Sequence, residues 1–328
     1  MQRYIIIILA VTTLLVNGCA APRIKLFPDA TDPLQEFTIE GTEKGKVLVI
    51  PIRGIISDAP KKGFPREWPS MVQEVVSQLR LAEKDEDVRA VLLKIDSPGG
   101  STTASDFLYH EIMTFKKQTG AKVVVAMMDV AASGGFYVSL PADFILAHPT
   151  TVTGSIGVIF MQPKVTGLMG KIGLNMEVNK FGKNKDMGSP FRQTTEEEQR
   201  ILQCLIDELG GRFVSLVAKH RKLDQRALAD ISTARVYLAK EALQLGLVDK
   251  IGYLGDALLQ AKKLAGLPEN SKVVVYRRTE YPDDNLYNTS TTHYSASGLS
   301  LIDLGLADSM TFLRTGFYYL WSPAAGHD

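Results

Sequence analysis

The stretch "KVVVAMMDVAASGGFYVS", residues 122–139, opens as a buried strand and breaks at Ser133-Gly134-Gly135, where a helix should take over. An apolar run with no polar alternation suits a strand covered on both faces, the habit of parallel sheets. "VRAVLLKI" (88–95) is a second such strand. Between the two, "STTASDFLYHEIMTFKKQTG" (101–120) reads as a helix closed by Gly120. Further back, "SMVQEVVSQLRLAEKD" (70–85) repeats Met71, Val75, Leu79 and Ala82 at helical spacing, and "KVLVIPIRGII" (46–56) is β-branched and strand-like. Strand, helix, strand, helix, strand predicts an α/β fold with a mainly parallel sheet flanked by helices.

Beyond residue 140, "DFILAH" (143–148), "TGSIGVIF" (153–160) and "LNMEVNKF" (174–181) read as strands. "TEEEQRILQCLIDELGGRFVSLVAKHRKL" (195–223) is a long helix, with Thr195 and Glu198 at capping-box spacing. Residues 240–267 hold two helical pieces punctuated by Gly246 and Gly266, and "KVVVYRR" (272–278) is a late strand. The expected organisation is a leader over 1–19, a Pro-containing tether over 20–45, one domain over 46–278 and a tail of uncertain order over 279–328. The tail's aromatic "FYYLWSP" (317–323) suits packing on the domain, a membrane surface or a neighbour's groove.

Thirty-seven Lys plus Arg against thirty-six Asp plus Glu leave a net charge of +1. Nothing in that balance attracts nucleic acid, so no nucleic-acid partner is expected. The apolar run from Tyr4 to Val16, preceded by Arg3, is shorter than the roughly 20 residues a spanning helix needs and fits an export signal. It ends in "VNGC", which resembles a bacterial lipoprotein processing box with Cys19 as the lipidated residue, although Val16 and Asn17 depart from its commonest residues. A protein anchored to the bacterial cell envelope by lipid is therefore expected. Ala20 and Ala21, with no Asp after the cysteine, favour the outer membrane where two membranes are present. The other cysteine, Cys204, falls at an apolar helical position and reads as a small buried hydrophobe. Neither cysteine supports a metal or redox site.

Two glycine turns end buried strands: "DSPGG" (96–100) and "ASGG" (132–135). Ligands of open α/β sheets bind at the carboxyl ends of the strands, so the two loops are expected to face one site. A serine at the head of a helix lies beside unpaired backbone N–H groups that stabilise an oxyanion. Equally, both turns suit simple strand-to-helix connections with Ser133 as an N-cap. A nucleophilic serine needs a base. His110, His148, His220, His293 and His327 sit in no recognisable triad context, and "KFGKNKDMGSP" (180–190) offers Lys180, Lys183 and Lys185. A lysine base requires burial away from anions, and local chemistry does not choose among the three.

"KIDSPGGS" (94–101), "AASGGFYVSLPADFILAHPTTVTGSIGVI" (131–159), "KNKDMGSPFRQTTEEEQ" (183–199) and "ARVYLAKEALQLGLVDKIG" (234–252) together resemble the signal peptide peptidase A family of Ser-Lys proteases. These are relatives of the Clp protease subunit and of crotonases, with repeated β-β-α units. The resemblance implies Ser133 as nucleophile, Lys185 as general base and Ser155 as the serine that holds the lysine. It also implies the backbone N–H groups of Gly100 and Gly134 as oxyanion donors. His148 and Phe136 stand where Asn and Tyr are more usual. The chain has one copy of the family domain, and single-copy members resemble rings in which serine and lysine come from neighbouring subunits, which implies a homo-oligomer. The implied activity is a membrane-associated serine endopeptidase acting on apolar extended peptides, such as signal peptide remnants or misfolded envelope proteins. It implies no metal or nucleotide cofactor. A crotonase-type acyl-thioester enzyme and a non-catalytic peptide-binding lipoprotein are the alternatives.

Overall fold

β1 (Gln35–Glu40), β2 (Glu43–Arg53), β3 (Val88–Ser97), the short β4 (Gly99–Ser101) and β5 (Lys122–Ala132) lead the chain in a computed structural model that describes residues 32–60, 68–288 and 315–324. β6 (Phe144–Ala147), β7 (Val152–Gly154), β8 (Ile159–Met161), β9 (Val236–Leu238), β10 (Lys250–Ile251), β11 (Ser271–Arg277) and β12 (Gly316–Leu320) follow. The main sheet runs β1-β11-β2-β3-β5-β6-β10, with β7 beside the far end of β5 and β9 beside β7. Its pairings are parallel except β1 with β11 and β7 with β9. The expected mainly parallel α/β sheet is what the chain forms.

The unbroken apolar runs follow from burial on both faces. Side chains alternate along a strand, so Val91, Leu93 and Ile95 of β3 join Val123, Val125 and Met127 of β5 in one core layer. Ala90 and Leu92 join Val124 and Ala126 in the other. The first layer is covered by α1 (Met71–Ala82), α2 (Thr102–Thr119), α3 (Gly134–Ser139) and part of α5 (Glu196–Arg221), while α4 (Thr166–Ile172) lies further along the chain. α6 (Gln225–Ile231) and α7 (Ala239–Gln244) add to that side, and α8 (Leu254–Leu264) covers the second layer. Helix ends match the local signals: Ser70 and Ser101 cap α1 and α2, Gly120 ends α2 at φ 71°, and Thr195 with Glu198 closes a full capping box on α5.

Several expectations are corrected. The tether assigned to 20–45 is folded where described: β1 lies inside it and pairs with β11, because its residues complete a sheet edge that would otherwise be bare. Residues 174–181 form no strand. Leu174, Met176 and Val178 do alternate, but no edge pairs with them and they stay about half exposed. "TGSIGVIF" splits into β7 and β8 in two different sheets. Cys204 is exposed rather than buried, because α5 turns Leu202, Phe213 and Val217 inward and Cys204 outward beside the exposed Leu205. The tail's aromatic segment packs on the domain: β12 is the middle strand of a small sheet ordered β4-β12-β8. Residues 1–31, and with them Cys19 and the expected leader, lie outside the described residues, as do His293 and His327.

Candidate active site

β5 and β7 are parallel with Ala132 opposite Gly154, so the next residues, Ser133 and Ser155, leave neighbouring strand ends at one level. The Ser133 N–H donates to the Gly154 carbonyl at 2.8 Å, and the Ser155 N–H to the Arg235 carbonyl at 2.9 Å. Two serines 22 positions apart in the chain are thus side by side. Ser133 has φ 51° and ψ −114°, a conformation that costs a non-glycine residue on the order of 1–3 kcal/mol and persists only where the surroundings enforce it. Its side chain makes no capping bond to α3, which removes the N-cap explanation. Its Oγ is buried and, among the described residues, has no hydrogen-bond partner. A strained strand-to-helix turn that holds a serine hydroxyl at a strand's carboxyl end is similar in form to a nucleophile elbow.

The two glycine loops do meet. A Cβ on Gly134 would lie 3.0 Å from Gly99 Cα and 3.1 Å from Gly100 N. Ile56 accepts from the Ser101 N–H at 3.0 Å and donates to the Gly99 carbonyl at 2.9 Å. Successive strand residues point their polar groups to opposite edges, so the N–H of Gly100 faces away from Ile56, toward β12, where Tyr319 stands opposite it. Gly100 has no room for a side chain, since a Cβ there would sit 1.9 Å from the Ile56 carbonyl oxygen. Gly100→Ala is expected to cost about 2–3 kcal/mol in chemical denaturation, as overpacked backbone contacts do. It should also cut kcat/KM, because the loop must shift away.

No described histidine serves Ser133. His148 Nδ1 lies 2.8 Å from the Thr150 hydroxyl, His220 Nε2 lies 2.9 Å from the Tyr109 hydroxyl, and His110 approaches Thr114. Burial, with nearby cations, lowers the pKa of His220. The lysine loop separates the three candidates. Lys180 is ion-paired with Asp186 and Lys183 with Glu197. Lys185 is exposed, and among the described residues its amine has no hydrogen-bond or ion-pair partner. Within one chain it is therefore not joined to Ser133 or Ser155.

Arg192 escaped the sequence analysis. Its Nε donates to Asp186 at 2.7 Å, a terminal nitrogen donates to the other Asp186 oxygen at 2.7 Å, and it also binds both oxygens of Glu198. One guanidinium so ties the residue after Lys185 to the first turn of α5. Arg192, ahead of Lys180, holds the Asp186 carboxyl far below the usual range, and Arg192, ahead of the Thr195 backbone, brings Glu198 down to about 2. A depressed carboxyl contributes stability above its unfolded pKa and loses it as pH falls toward the folded value. The tie should thus be complete near neutrality and fail as pH drops from about 4 toward 2. Arg192→Ala is expected to lower kcat about tenfold through misplacement of the loop, and its acid-unfolding curve should approach that of the parent protein only as pH falls to about 2 and below. The 186/192/198 charge spacing was the available signal.

Known proteins match this architecture. The model of peptidase family S49 matches residues 115–268, from the end of α2 through α8, and the Clp protease model matches residues 68–147. A putative signal peptide peptidase SppA of Enterococcus faecium is 34% identical over 276 residues, 84% of this chain and 76% of that protein. Protease 4 of Haemophilus influenzae is 32% identical over 260 residues, covering 79% of this chain but 41% of its own length. Among solved structures, a Clp protease subunit from Listeria monocytogenes aligns with 64% of this chain and 94% of its own at 21% identity, with a TM-score of 0.41, too loose a superposition to argue from. These matches favour a peptidase over the acyl-thioester alternative. The SppA relative is matched over most of its length, and the S49 model lies across the elements that carry Ser133 and Ser155, so the chain belongs to peptidase family S49 and is a serine peptidase.

Proposed function

We propose that the chain is a membrane-associated endopeptidase that cleaves extended apolar peptides, such as signal peptide remnants or misfolded envelope proteins, through a Ser133–Lys185 dyad completed between subunits of a homo-oligomer. The observation that carries it is the buried, strained, partnerless hydroxyl of Ser133 beside the paired glycine loops. Ser133 Oγ attacks the scissile carbonyl as the Lys185 amine takes its proton. The oxyanion is held by the N–H groups of Gly100 and Gly134. Collapse breaks the C–N bond, Lys185 returns the proton to the leaving amine, and water hydrolyses the ester with Lys185 again as base. Ser155, level with Ser133, hydrogen-bonds the lysine and aims it.

The shared dyad is supported by the surface that carries Lys185. Leu168, Ile172, Leu174, Met176, Val178 and Phe181 are all about half exposed or more within one short segment, with Phe181 100% exposed. An apolar run of that extent suits cover by a second copy, and such cover would also strip water from the lysine. Cys19 would hold the assembly to the envelope by lipid. A serine-directed acylating probe read by mass spectrometry tests the dyad: it should label Ser133 in the parent protein and not in a folded Lys185→Ala variant. Equal labelling of both would remove Lys185 from the mechanism.

A further inference from the structure

One peptide unit, Gly154–Ser155, is shared between the two serines. Its carbonyl accepts from the Ser133 N–H at 2.8 Å, and its N–H donates to the Arg235 carbonyl at 2.9 Å. A peptide bond is planar, with carbonyl and N–H turned opposite ways, so a rigid plate is gripped by Ser133 on one side and by Arg235 on the other. Its backbone is not relaxed. Gly154 has φ 90° and Ser155, a non-glycine residue, has φ 51°, and such a conformation persists only where the surroundings over-determine it.

Those surroundings are supplied by residues 230–241. β9 is antiparallel to β7, with Val236 opposite Gly154 and Tyr237 opposite Thr153. A Cβ on Gly154 would lie 2.4 Å from the Tyr237 ring and 2.9 Å from the Arg235 carbonyl oxygen, and one on Gly157 would lie 2.7 Å from that of Ala234. Ala234 is itself left-handed, at φ 58°. The Arg235 side chain anchors this segment from outside. Its Nε and a terminal nitrogen donate to the two oxygens of Asp230 on α6, at 3.2 Å and 2.8 Å, and the same terminal nitrogen donates to Glu241 on α7. Its guanidinium carbon lies 4.2 Å from the centre of the Tyr237 ring. A planar fork held by two carboxylates and a ring face is fixed in direction. Arg235 in turn holds the Asp230 carboxyl below its usual range, so the pair is charged at neutral pH.

We infer that Arg235 is a positioning residue: clamped to Asp230 and Glu241, it fixes the Gly154–Ser155 peptide and so aims Ser155 at the general base. The inference rests on the proposed role of Ser155 in orienting Lys185. Ser133 is fastened a second time, its carbonyl accepting from the Tyr137 N–H at 2.9 Å. Slack in the clamp therefore falls on Ser155.

The test measures kcat and KM of the full chain on a fluorogenic apolar peptide, with variants built singly and together. Arg235→Ala should lower kcat about tenfold, as small displacements of a reacting group do, and leave KM within about twofold, since the clamp acts on the base and not on bound substrate. Arg235→Lys, which keeps the charge but loses the fork, should recover part of that loss, and Asp230→Asn should lower kcat several-fold. The urea midpoint of each variant should stay near the parent's, because ion pairs this exposed add little to folding stability. In a Ser155→Ala background, adding Arg235→Ala should cost nothing further, since the clamp has lost the group it aims. If Arg235→Ala does not fold, Asp230→Asn takes its place in the same cycle. Full additivity with Ser155→Ala, or parental kcat in the folded clamp variant, overturns the inference and leaves the role of Ser155 standing. Parental kcat in Ser155→Ala overturns both.

Discussion

Ser133→Ala is expected to lower kcat on any cleaved peptide by on the order of 10⁴-fold or more, because losing a covalent nucleophile removes the whole acyl-enzyme route and leaves only binding and oxyanion contacts. The fold should survive. Ser133 Oγ makes no hydrogen bond and no helix cap that alanine would forfeit. Ser133→Gly sharpens the point. At φ 51° and ψ −114° a Cβ is strained, and glycine relieves that strain, so the variant should be inactive yet more stable by about 1 kcal/mol. Peptide hydrolysis and urea denaturation measured on the same preparations check both halves. A Ser133→Gly protein that is less stable than the parent would show that the turn is not strained, and an active Ser133→Ala protein would remove the nucleophile assignment.

Lys185→Ala should be comparably inactive, and the informative experiment mixes it with Ser133→Ala. If each site takes its serine from one subunit and its lysine from the next, equal parts dissociated and reassembled together should regain about a quarter of parental activity, the share of sites with both groups intact under random assortment in a symmetric ring. Neither variant alone should regain any. This follows from the single chain, where the amine of Lys185 is exposed and joined to neither serine, while the adjoining apolar segment lies uncovered. Failure of the mixture to recover, with oligomers intact by sedimentation, would place the lysine in its own chain's site. A fully active monomer would exclude sharing altogether.

The elements of the sheet were legible because their signals are local. β3 over 90–93 and β5 over 123–128 are apolar at every position since both faces are covered, and α2 ends and α5 begins where Gly120 and the Thr195–Glu198 pair say they should. The same local reading failed over 174–181 and at Cys204. Alternation and helical spacing report that an apolar face exists, not which surface covers it, and within one chain nothing covers either. That Lys180 and Lys183 are ion-paired likewise lay beyond local chemistry, because Asp186 and Glu197 are brought to them by the folded loop that Arg192 ties down.

By itself the amino-acid order determined the parallel α/β core, the break at Ser133 and the glycine loops, since each depends on the conformational limits of a few consecutive residues. Tertiary structure alone decided that Ser155 stands level with Ser133, that Gly100 meets Gly134, and that β12 fills the slot between β4 and β8. Those facts come from which strand edges were left to pair once the sheet had formed. Pairing joins residues tens to hundreds of positions apart, and no short window of sequence contains both partners.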